Sequence, residues 1–89
     1  MDKITVEFSA NRVGVEARTV STHNLTDRGA ANALRRARAA LDDGILAYGN
    51  RSGAVVTISA NGTTYSLGQN GMRDDRGDLW PIELSARDF

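Results

Sequence analysis

The chain contains no cysteine, which excludes disulfides, thiol chemistry and cysteine-based zinc sites. It has one proline, one histidine and one tryptophan in 89 residues. It has no excess of charge, because eleven basic residues balance eleven acidic ones. A neutral balance argues against a protein that holds nucleic acid by bulk charge, since that affinity comes from neutralising phosphates. Long apolar runs are also missing, so neither a signal peptide nor a membrane span fits, and a cytoplasmic protein is expected. No phosphate-binding loop, metal cluster, cofactor fingerprint or nucleophile–base pair with an orienting acid is present. The expectation is a non-enzymatic domain without cofactor or metal.

What is present is pattern. The length suits one domain over residues 1–89, since domains run to roughly 50–250 residues. Ile4, Val6 and Phe8 alternate with Lys3, Thr5 and Glu7, the period of a half-buried strand. Residues 12–20 read similarly, with Val13, Val15 and Ala17 on one face. A turn at Ala10 and Asn11 predicts Phe8 opposite Val13, Val6 opposite Val15 and Ile4 opposite Ala17, with every apolar side chain on one side.

The period then changes. Thr26 suits a helix N-cap, with Asp27 in the first turn. Ala30, Ala33, Leu34, Ala37 and Leu41 recur at helical spacing, a narrow Ala-rich stripe that lets a helix sit close to a sheet. Gly44 is read as a left-handed stop, and residues 45–48 stay open between a last helical turn and a strand. After a loop at 49–53, two β-branched runs flank Asn61-Gly62, the pair that a type I′ hairpin turn demands. That turn predicts Ile58 opposite Tyr65 and Val56 opposite Leu67. Both hairpins carry Ser-Ala-Asn at the predicted turn, which turn chemistry selects and a decayed duplication would also leave. Residues 79–84 are apolar enough to dock back, with Pro81 directing any strand there to an edge. The order strand, strand, helix, strand, strand therefore predicts an α+β fold. It is an antiparallel sheet of four to five strands with one amphipathic helix on one face. Open edges admit a homodimer as well as a monomer.

Three features compete for a function. His23 stands near Ser21 before the helix, but a triad also needs an acid and an oxyanion site, so a turn or surface role is expected. Arg28, Arg35, Arg36 and Arg38 lie away from the apolar stripe of the helix, a face suited to an acidic protein or a nucleic-acid backbone. Asp74, Asp75 and Asp78 form an acidic turn whose spacing is not that of a calcium loop. Arg76-Gly77-Asp78 and three glycosylation sequons are short strings without an export context. Trp80 is expected to close the core.

In size, lack of cysteine and layout, the chain resembles small phage-encoded anti-defence proteins of the anti-CRISPR kind. The layout in question is a hairpin, the Ala-rich helix around Arg28-Gly29-Ala30-Ala31-Asn32-Ala33-Leu34-Arg35-Arg36-Ala37, and a second hairpin over residues 55–67. The resemblance implies an inhibitor that binds a bacterial nuclease or surveillance complex and blocks access of nucleic acid. The contact surface would be the arginines 28, 35, 36 and 38 or the Asp74, Asp75, Asp78 turn. The competing expectation is a small nucleic-acid-binding regulator that uses the arginine-rich helix face.

Overall fold

The structure, a computed structural model, describes residues 3–11, 13–49 and 52–89. Its strands are β1 (Lys3–Ser9), β2 (Arg18–Asn24), β3 (Val55–Ala60), β4 (Thr63–Gly68), β5 (Gly71–Arg73) and β6 (Leu79–Trp80). Helix α1 (Asp27–Tyr48) joins β2 to β3, and a single 3₁₀ turn (Ala86–Asp88) ends the chain's described structure. The six strands form one antiparallel sheet in the order β2-β1-β3-β4-β5-β6. The α+β class and its single helix agree with the pattern reading. The strand count does not: β6 falls in the segment 79–84 where a fifth element is expected, and β5 adds a sixth strand to the four to five expected.

The second hairpin pairs Ile58 with Tyr65 and Val56 with Leu67, as its turn dictates. Asn61 and Gly62 both take positive φ, 52° and 79°, the geometry of a type I′ turn. The first hairpin differs. Val6 faces Ser21, Ile4 faces His23 and Phe8 faces Arg18, while Val13 and Ala17 are exposed. The helix causes this shift. Only residues 25 and 26 link β2 to α1, so docking the helix on the sheet draws residues 18–24 against β1. The longer connection left between β1 and β2 costs little extra closure entropy. The Ser-Ala-Asn echo is therefore not a repeated turn, since Asn11 N–H instead bonds the Ser52 carbonyl.

Thr26 caps α1 as expected, its Oγ1 accepting the Gly29 N–H at 2.9 Å. The predicted stop at Gly44 is overturned. The helix continues through residues 45–48 to Tyr48 and ends at Gly49, whose φ is +94°. Gly44 is buried inside the helix because the Phe8 ring lies against it. The absence of a side chain there serves packing, not termination.

The core joins Ile4, Val6 and Phe8 of β1 to Val56 and Ile58 of β3, Tyr65 and Leu67 of β4, and Met72 of β5. Ala30, Ala33, Leu34, Ala37 and Leu41 roof it. The helix lies mainly over β2, β1 and β3. The β4–β6 half is closed by the C-terminal tail, with Leu84 buried and Phe89 edge-on to Tyr65 at 5.4 Å. Trp80 is half-buried and packs beside Tyr65, with ring centroids 5.2 Å apart.

Candidate functional site

The acidic turn joins β5 to β6 at residues 74–78. Its backbone is closed by the Asp74 N–H donating to the Asp78 carbonyl and the Gly77 N–H donating to the Asp74 carbonyl, both at 3.0 Å. Asp74 Oδ1 accepts the N–H groups of Arg76 and Asp78 at 3.0 and 2.9 Å. Arg73 Nη1 adds a bond to the Gly77 carbonyl at 3.1 Å. Asp74 thus braces the loop, while the side chains of Asp75, Arg76 and Asp78 are exposed. The turn, Tyr65, Thr63 and Trp80 border one shallow depression. Burial, then the charges of Asp88, Asp74 and Asp75, push the Tyr65 phenol above its ordinary value. The neutral phenol donates to the Asp88 carbonyl.

The arginines are less united. All four are exposed, and Arg35 donates to the Asn32 side chain at 2.9 Å. Arg28 and Arg35 share the outer crest of α1, seven residues apart. Arg36 and Arg38 diverge by roughly 160° around the helix. Arg36 leans over β2, flanking a cleft with Arg18, Thr19, Val20, Ala39, Ala40 and Asp43. Arg38 falls on the opposite flank, the side on which Ala31 and Leu34 border the tail. The structure gathers only Arg28 and Arg35 on one face.

His23 and Ser21 lie on the helix side of β2, and Ser21 Oγ and His23 Nε2 are 2.9 Å apart. Alternation on a strand brings residues two apart to one face. Among the described residues no carboxylate bonds to the imidazole. Burial, and secondarily the Arg36 charge, hold His23 below its ordinary value of 6.5. The folded domain therefore takes up a proton at His23 less readily than the unfolded chain. The stability this difference contributes is intact above the unfolded pKa and declines as pH falls below it. Urea titrations at pH 7 and pH 5 are expected to show a larger loss for the wild type than for His23→Gln. Equal losses would remove His23 from the acid response.

Among the described residues, no group of three or more histidines and carboxylates is placed to hold a metal ion. Likewise, no described helix is long and apolar enough to cross a membrane. Asp27 Oδ1 accepts the Ala86 N–H at 2.9 Å, tying the first turn of the helix to the tail. The helix and tail leave an apolar cleft between Leu34, Trp80, Pro81 and Ile82. Sequence reasoning did not find this cleft or the one above β2, because the two walls of each come from segments far apart in the chain. Compared with known proteins, the chain matches no family model, no curated protein and no solved structure.

Proposed function

We propose that this domain is a non-catalytic binding module of the anti-CRISPR kind, encoded by a phage. It docks on a bacterial nuclease or surveillance complex in the cytoplasm and denies that complex its nucleic acid. The observation that supports this reading is the Asp74–Asp78 turn. Five hydrogen bonds shape it, and Asp75 and Asp78 still project into solvent. A preorganised turn with two outward carboxylates loses little entropy on docking and suits a basic groove that normally receives phosphates. Trp80 beside it is half-buried and offers ring surface to the same partner.

The test is binding to purified guide-loaded nucleases and surveillance complexes. The double variant Asp75→Lys with Asp78→Lys is expected to weaken binding by at least about tenfold, since it turns attraction at a charged interface into repulsion. Asp74 is left intact because it holds the loop. An unchanged affinity rejects the acidic turn, and no binding by the wild type rejects the reading.

The second reading is a nucleic-acid-binding regulator, favoured by the exposed crest pair Arg28 and Arg35. It requires affinity for duplex DNA or RNA that falls steeply with salt. Salt-independent or absent binding dismisses it.

A further inference from the structure

The two edges of the sheet are unlike. The β6 edge is two residues long and runs straight into Pro81, which has no N–H to offer. The β2 edge is seven residues long and carries neither lysine nor proline. What blunts it is Arg18 at its first residue and a bulge at Val20, where the register with β1 shifts between Val6 and Glu7. No described strand pairs with its outer side. Such a strand presents a row of free backbone donors and acceptors.

The flank of α1 above this edge has a second property. Arg36 and Asp43 stand equally far from the midpoint between Ala39 and Ala40, and both are exposed. About a two-fold axis through that midpoint, Arg36 of one helix faces Asp43 of the other, and the reverse. Thr19 and Val20 of β2 share the cleft with Ala39 and Ala40, so the axis that matches the charges passes over the first half of the strand, beside its bulge. A two-fold axis normal to the sheet also runs β2 antiparallel to its copy. Strand pairing and charge pairing therefore call for the same operation. The neutral balance of the chain places no net repulsion between copies.

We propose that the chain forms a two-fold dimer through β2. The occupant of the edge is a second copy, joining two six-stranded sheets into one, with Arg36 and Asp43 paired across the axis. The interface is isologous, as closed dimers require. It leaves both Asp74–Asp78 turns at the distal ends, so it stands independently of what those turns bind.

The test is sedimentation equilibrium on the wild type, on Arg36→Asp, on Asp43→Arg, and on an equimolar mixture of the two variants. Each variant alone sets two like-charge pairs across the axis, and its dimer dissociation constant is expected to rise at least about tenfold. In the mixture, the new aspartate at position 36 of one variant meets the new arginine at position 43 of the other, and the native Arg36 meets the native Asp43. Both pairs are then opposite in charge, so dimers between unlike variants return at wild-type strength. A change within one chain has no means of producing that rescue. Circular dichroism checks that each variant is folded. The proposal is overturned by a wild type that stays monomeric at about 1 mM. It is also overturned by single variants that dimerise like the wild type, or by a mixture that stays monomeric.

Discussion

Phe8→Ala is expected to destabilise the domain by about 4 kcal/mol, the middle of the range for deleting a buried aromatic ring. For a domain of this size that is a drop in melting temperature of about 20 °C. Phe8 is 1% exposed and sits where the sheet meets the helix. Its ring lies against Gly44, stacks at 6.1 Å on Tyr48 and carries the Arg18 guanidinium 5.6 Å from its centroid. Truncation leaves a void that a helix tied down at both ends does not readily close. Far-UV circular dichroism in urea measures the loss. The partner Gly44 supplies a sharper check. A Cβ at position 44 would come within 2.3 Å of Phe8 Cε2, so Gly44→Ala is expected to cost about 2 kcal/mol in the wild type. In the Phe8→Ala background the obstacle is gone, and the same change stabilises by up to about 1 kcal/mol through helix propensity. Additive effects of the two substitutions would show that ring and glycine do not meet.

Gly29→Ala is the second large effect, expected at about 3 kcal/mol. A Cβ at this position would lie 1.9 Å from the Asn24 carbonyl oxygen and 2.9 Å from its carbon. That obstacle is main chain, the last residue of β2, and has no rotamer by which to retreat. The carbonyl also accepts the Thr26 N–H at 2.9 Å. Thr26 Oγ1 in turn accepts the Gly29 N–H and would lie 3.1 Å from the new carbon. Relief of the clash therefore disturbs the cap as well as the passage from strand to helix. A cap alone is typically worth about 1 kcal/mol, so a loss of only that size would mean that the backbone gives way easily. Chemical denaturation with the slope held constant makes the comparison.

Elements governed by adjacent residues were legible in the sequence. Asn61-Gly62 specifies its own turn, and Thr26 caps its own helix. The register of β2 was not legible, because Val13, Val15 and Ala17 offer a good local alternation that the docked helix overrides. Arg18, Ser21 and His23 occupy the helix-facing positions instead, and nothing in their polarity announces it. Gly44 misled for a related reason. A glycine that ends a helix and one that admits a ring look alike until the ring is known. Met72 is fully buried, yet its strand is three residues long, too short for any periodicity to appear. The acidic turn was visible as a composition, but its division into a bracing Asp74 and two outward carboxylates depends on backbone geometry. By helical spacing alone the arginines form one strip. The structure splits them between crest and flanks, and Asp43 acquires a role only when Arg36 is seen to share its flank.

The tail has a consequence for how this molecule can be observed. Trp80 is its single tryptophan, and it lies in the part of the sheet that the tail covers. Its emission reports on the seating of Tyr65, Trp80 and Phe89, whereas the far-ultraviolet dichroism is dominated by α1 at the other side of the sheet. The two optical signals therefore watch different halves of the same sheet. The interval between their melting curves measures how tightly the Asp27–Ala86 bond and the continuous strands couple those halves into one cooperative unit.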